Sequence, residues 1–351
     1  MNNYLLKKED LPAFLKDLNL QCELWAPYTE SGIRFFHPYR EGEQPECGRS
    51  TRISVKSFFL PRCEEMFQFS PEPDGMNIQA NLPENRLVLF GVRPCDARAM
   101  RLNARVFLDD PATHHQDPYF GKRRQTTLLV GWGCDRPGAA CFCHAVGGSP
   151  FGEEGLDALI TDLGDNLLLT VGTPEAEKRI KTDQLRTASE EDMAAAERIN
   201  QASRETLSAN FNPENMKIES IVSGDIETLF DLPVWEETAS RCLNCGVCTY
   251  LCPTCTCFDV LDTGENQSGY QFRCWDSCMF GLFTQHASGH NPRPGKPERI
   301  RQRFMHKLRY FPERNGGHAG CVGCGRCVLF CPVNIDIREI AESMAESKTN
   351  R

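Results

Sequence analysis

Two cysteine runs of one design govern the sequence: Cys242-x2-Cys245-x2-Cys248-x3-Cys252-Pro253 and Cys321-x2-Cys324-x2-Cys327-x3-Cys331-Pro332. Both have the spacing of a bacterial ferredoxin loop that holds a 4Fe-4S cubane. Three thiolates set three residues apart on a tight loop can each bond one iron corner. The fourth, past the turn, points away and reaches a neighbouring cluster. The expected ligand sets are therefore crossed: Cys242, Cys245, Cys248 and Cys331 on one cubane, and Cys321, Cys324, Cys327 and Cys252 on the other. Structural zinc pairs two separated two-ligand knuckles in a tetrahedron, and two loops of three ligands each do not match it. Gly246, Gly323 and Gly325 suit a backbone that turns tightly and aims N–H groups at sulfide. The chain between the motifs is much longer than a minimal two-cluster ferredoxin needs. The expected unit is thus an α-helical ferredoxin-like dicluster domain with an embedded excursion.

The rest of the composition narrows the setting. Twelve of the 19 cysteines fall between Cys242 and Cys331. An odd count with no export signal makes a poor disulfide framework, so the crowded thiols read as metal ligands. Forty per cent apolar and 25 per cent charged residues describe a globular chain rather than a disordered one. A net charge of −9 argues against nucleic-acid binding, which needs a basic face. Apolar stretches such as Leu87 to Val92 fall far short of the roughly 20 residues that cross a bilayer. The N-terminus MNNYLLKKEDLPAFLKDL has acids among its apolar positions and no small-residue cleavage site. The expectation is a cytoplasmic protein that is not integral to a membrane.

Three regions separate along the chain. Residues 1–172 read as an α/β domain: LVLFGV (Leu87 to Val92), TTLLVG (Thr126 to Gly131) and LLLTVG (Leu167 to Gly172) fit strands buried on both faces. DARAMRLNARVFL after the first of them has helical spacing, which suggests part of a doubly wound sheet. Residues 173–235 form an acidic helical connector, in which SEEDMAAAERINQASRETL is a helix with Ser189 as N-cap. The wider stretch 151–230 holds 17 Asp+Glu against 7 Lys+Arg, which reads as a solvated face or a dock for a basic partner. Residues 236–351 carry the dicluster motifs. Within them, 291–314 is basic, with eight Lys+Arg against two Glu, and reads as a solvated helix in preference to a partner- or anion-facing strip.

A third set of thiols sits in the α/β region. Cys95 follows LVLFGV, and Cys134, Cys141 and Cys143 follow TTLLVG. If the two strands are parallel neighbours, all four gather beyond their carboxyl ends, where open α/β sheets place ligands. They would complete a third site, with Asp96 or His144 able to replace one ligand; otherwise they are ordinary buried or turn cysteines.

The strings RCLNCGVCTYLCPTCTC, CWDSC, SGHNPRP and CVGCGRCVLFCP, with FGVRPCDARAM and the CFC at Cys141 to Cys143, resemble a known family of iron–sulfur proteins. The family supplies the iron–sulfur component of anaerobic sulfite reductase and the beta component of sulfhydrogenase, and the likeness runs from the N-terminal helix to about Ile340. The resemblance implies electron transfer between a terminal reductase or hydrogenase module and an FAD- and NAD(P)H-binding subunit. That module would be of sulfite reductase, nickel–iron hydrogenase or heterodisulfide reductase type. It also implies two ferredoxin-like cubanes and favours a third cluster on Cys95, Cys134, Cys141 and Cys143. Cys255, Cys257 and Cys278 fit family positions, while Cys274 stands where the family more often looks basic. These four either line the clusters or make a further site; Cys22, Cys47 and Cys63 read as structural. No G-x-G-x-x-G follows an expected strand, and no phosphate loop or nucleophile elbow is present. Flavin, nicotinamide and terminal substrate are therefore expected on other subunits, with no catalytic residue here. The alternatives are an enzyme that binds a small substrate at an open iron of the N-terminal cluster, or a scaffold whose clusters only staple loops.

Overall fold

The computed structural model describes residues 2–109 and 115–347, so the last four residues of the C-terminal region lie outside it. Its strands are β1 (Asn2–Lys7), β2 (Glu23–Glu30), β3 (Ile33–Pro38), β4 (Cys63–Glu72), β5 (Gly75–Ala80), β6 (Leu87–Val92), β7 (Thr127–Trp132), β8 (Ala158–Asp162), β9 (Asn166–Val171), β10 (Arg186–Thr187), β11 (Phe258–Glu265) and β12 (Ser268–Trp275). Eight of them form one sheet in the order β10-β1-β9-β8-β7-β6-β2-β3. The middle pairs β2/β6, β6/β7 and β7/β8 are parallel, and the flanking pairs are antiparallel.

The apolar runs of β6 and β7 are buried on both faces, as parallel strands covered by helices must be. Val88, Phe90, Leu128 and Val130 pack into one core with the helix Leu11–Gln21. Leu89, Val92 and Leu129 point the other way, into a core shared with the helix Pro94–Phe107. Ladder register shifts between Phe90 and Val92 across Gly91, whose φ is +76°. A Cβ there would lie 2.6 Å from the Cys47 sulfur, so this bulge needs glycine.

The stretch between the two cysteine motifs carries a β-hairpin as well as helices. β11 and β12 pair with each other, and β12 then pairs with β4 of the N-terminal half, giving a second sheet of order β11-β12-β4-β5. Buried Arg273 on β12 donates to Glu64 of β4 (2.7 Å) and to Asp117. Glu64 also takes a bond from Arg123. In the connector, Ser189 caps the helix Glu190–Asn210 through a complete capping box with Asp192. A third core unites residues 142–146 and 216–239 with the C-terminal helices, around Trp235, Phe304 and Ile340. Among the described residues, no helix is long and apolar enough to cross a membrane.

The two halves meet at a buried ion pair. Arg326, within the second ferredoxin loop between Cys324 and Cys327, binds both oxygens of Asp96 at 2.5 and 2.7 Å and donates to Thr51 O at 3.0 Å. The side chains are 2% and 1% exposed. Removing one partner of such a pair strands the other charge in the interior, at a cost of about 3–5 kcal/mol. Asp96→Ala is therefore expected to lower stability by about that amount, read from the midpoint of anaerobic denaturant unfolding. A shift below about 1 kcal/mol would show that the pair does not hold the halves together.

Candidate metal centre

The two cysteine loops are built alike. In each, the residue two places after the first cysteine, Asn244 or Gly323, has positive φ (57° and 63°), as does the glycine after the second cysteine, Gly246 or Gly325 (74° and 73°). These left-handed residues curl the chain so that one short helical turn follows, Val247–Tyr250 in the first loop and Arg326–Leu329 in the second. Backbone N–H groups turn onto sulfur: Asn244 to Cys242 at 3.3 Å, Gly323 to Cys321 at 3.4 Å and Ile335 to Cys331 at 3.3 Å.

Around these loops lie two cavities. Cys242, Cys245, Cys248, Cys327 and Cys331 line the first. Cys252, Cys321, Cys324 and Cys327 line the second. The last cysteine of each motif thus sits with the first three of the other. Burial pushes the Cys321 thiol up to about 11 and those of Cys324 and Cys327 up to about 12. Without metal, the inner loop would hold neutral thiols; as thiolates they need strong cationic compensation. Among the described residues, no three His, Cys, Asp or Glu side chains gather as a single-ion site.

The cations are present. Arg303 and Lys307 are buried, 3% and 5% exposed, and no carboxylate lines either cavity among the described residues. Arg303 lines both cavities and donates from Nη2 to Cys248 O at 3.0 Å, while its Nε and Nη1 have no partner. Lys307 lines the second and donates to Thr254 Oγ1 (2.9 Å) and Gly320 O (3.1 Å). Two buried cations with no carboxylate beside them, one of them with orphaned N–H groups, fit an anionic centre with acceptor sulfides. Segment 291–314 is therefore not simply a solvated strip: Arg299, Arg303, Lys307 and Arg309 all turn inward.

The third set lies against the second loop. With β6 and β7 parallel neighbours, Cys95 and the 134–143 segment emerge from the same end of the sheet. Cys143 lies near enough to Cys134 and Cys141 for their charges to interact, and Cys95 is coupled in the same way to Cys143 and Cys324. Burial pushes the Cys143 thiol up to about 12 and raises Cys95, Cys134 and Cys141 as well. Phe142 N–H donates to Gly323 O at 2.9 Å, and Cys141 Sγ to Cys324 O at 3.9 Å. Asp96 is no spare ligand, since Arg326 takes both its oxygens. His144 turns Nε2 to Phe211 O at 3.0 Å.

Residues 241–335 match the family model of a 4Fe-4S dicluster domain. Over 349 residues the chain is 30% identical to sulfhydrogenase 2 subunit beta of Pyrococcus furiosus, covering 97% of this chain and 98% of that protein. The chain belongs to this family. It is an iron–sulfur electron-transfer subunit of the same kind as sulfhydrogenase beta, with 4Fe-4S clusters in its C-terminal part. No solved structure matches it.

The remaining cysteines of this sulfhydrogenase-beta relative divide three ways. Cys63 and Cys274, at facing positions of β4 and β12, form a disulfide, which takes Cys274 out of any site with Cys255, Cys257 and Cys278. Cys255 donates to Cys252 and holds that thiol low; Cys278 does the same for Cys257, bringing it to about 6. Cys47 is buried against Gly91, and Cys22 accepts from Arg179 at 3.9 Å. Neither Arg303 nor Lys307 was marked by a motif. Their signal is spacing: Arg299, Arg303 and Lys307 recur every fourth residue beside Ile300, Phe304 and Leu308, so the basic stripe adjoins the apolar one.

Gly323 is one of the close contacts between the second loop and the third set. A Cβ there would lie 2.5 Å from backbone atoms of Phe142 and Cys143. Gly323→Ala should destabilise the protein by about 1–3 kcal/mol through overpacking. It should also raise amide hydrogen exchange over 141–146 and 321–325 together. Unchanged exchange in either segment would mean that the loops are not interlocked.

Proposed function

We propose that the chain holds three 4Fe-4S clusters and relays electrons between a terminal redox module and a flavin- and NAD(P)H-binding partner subunit. The ligand sets are Cys242, Cys245, Cys248 and Cys331; Cys252, Cys321, Cys324 and Cys327; and Cys95, Cys134, Cys141 and Cys143. The observation that carries the reading is the contiguity of the three thiol groups. Cys327 borders both cavities, and the second loop touches the third set through Gly323 and Cys324. Cubanes supply one-electron carriers when bound, with potentials set by charge, hydrogen bonds and exposure. The chain's own residues do the rest. Asn244, Gly323 and Ile335 fix sulfur positions with N–H bonds, and Met279, Ile300 and Phe304 give the first cavity an apolar wall. Four thiols at the third set leave no corner open, which favours a relay over substrate binding at an open iron.

The terminal module would be of sulfite reductase, nickel–iron hydrogenase or heterodisulfide reductase type, as the family resemblance implies. We also infer a cytoplasmic setting, because cysteines crowded as cluster ligands must stay reduced until the clusters are built. We further infer a division into an α/β domain at 1–172, a connector at 173–235 and a dicluster domain at 236–351.

Anaerobic isolation should yield about 12 Fe and 12 sulfides per chain, and Cys134→Ser should reduce both to about 8. A value near eight in the unaltered protein would remove the third cluster. Tightly bound zinc in place of iron would sink the relay.

A further inference from the structure

We propose that Arg303 and Lys307 set the reduction potentials of the two ferredoxin-motif clusters, Arg303 acting on both and Lys307 selectively on the one held by Cys252, Cys321, Cys324 and Cys327. The inference rests on the cluster reading above and adds a role for two residues that hold no iron.

Each one-electron reduction adds a negative charge to a buried site. A fixed cation nearby stabilises the reduced form more than the oxidised one and so raises the potential, and the effect is large where water is excluded. Arg303 and Lys307 lie one helical turn apart, on a helix that runs from Lys296–Met305 directly into the π-helical turn His306–Tyr310. Arg303 lines both cavities; Lys307 lines only the second. No Asp or Glu lines either cavity among the described residues, so their charges are left for the clusters.

Other buried cations near the thiols are engaged differently. Arg326 is neutralised by Asp96, and Arg98 by Glu154 at 2.9 Å. Arg93 spends its fork on Trp132 O, Gly133 O and Gly48 O, beside the third set, and lines neither cavity. Lys56 donates to Cys255 O at 2.9 Å, lies 3.9 Å over the Trp275 ring, and lines neither cavity. Of the cations that line the cavities, the second cavity therefore has two and the first has one.

The experiment is an anaerobic redox titration of the full chain, followed by electron paramagnetic resonance, with iron content measured on each variant. Lys307→Met should lower the midpoint of one cubane signal by at least tenfold in its reduction equilibrium, about 59 mV for a one-electron couple. The other ferredoxin-motif signal should move much less. Arg303→Gln should lower both. The charge-keeping variants Lys307→Arg and Arg303→Lys should restore the unaltered midpoints. Full iron with unmoved midpoints in Lys307→Met and Arg303→Gln would overturn the proposal. So would iron loss that the charge-keeping variants fail to prevent, since the two residues would then be packing elements. If the unaltered chain shows no reversible cubane signals, the relay reading itself fails, and that outcome is separate from any variant.

Discussion

Asp96 and Arg326 are 230 positions apart and both are almost wholly buried, so neither charge could stay in place without the other. Their bidentate pair fixes the second ferredoxin loop against the helix that begins at Pro94. Everything near it inherits that constraint. Phe142 N–H meets Gly323 O, Cys141 reaches Cys324 O, and the thiols beyond β6 and β7 are brought beside those of the loop. The α/β sheet thus acts as an anchor. It places one group of cysteines at the ends of its parallel strands and a second group against them, with the buried ion pair and the loop contacts beside it as the join.

The parts of this arrangement that sequence reveals are the local ones. Leu87 to Val92 reads as a doubly buried strand because every position is apolar, and Ser189 reads as a cap because Asp192 stands three residues on. The cysteine spacing carries its own geometry, since residues three apart on a tight turn must share one focus. What escapes is non-local. β11 is largely exposed and the hairpin's sequence lacks clean alternation, so nothing in it names β4, about 200 residues before β12, as its partner. Cys63 and Cys274 face each other only because of that pairing; alone, neither has a motif.

The basic segment shows a different kind of misreading. Charge density suggests a solvated helix because lysine and arginine are rarely buried unless paired. The premise holds, but the partner is missing from the alphabet being read. A sequence displays carboxylates, and so it displays the partner of Arg273 or Arg326. It does not display a cluster, whose charge resides in inorganic sulfide and in thiolates that count as neutral in a composition. A buried, unpaired cation beside cysteines is therefore a sign of such a centre, independent of cysteine spacing.

The same charges couple folding to cluster insertion. In the empty chain, Arg303 and Lys307 would be desolvated cations facing the neutral thiols of Cys321, Cys324 and Cys327, with only the Cys252 sulfur held low beside them. Cluster binding reverses the sign. The thiols lose protons against a burial penalty that alone holds Cys321, Cys324 and Cys327 well above their ordinary range, and the new anions pair with the waiting cations. Each half of that exchange is unfavourable alone, and together they offset. The inner cavity, where burial is deepest and both cations converge, should for that reason depend on its cluster more than the outer one, where Cys245 is exposed and water can stand in for missing charge.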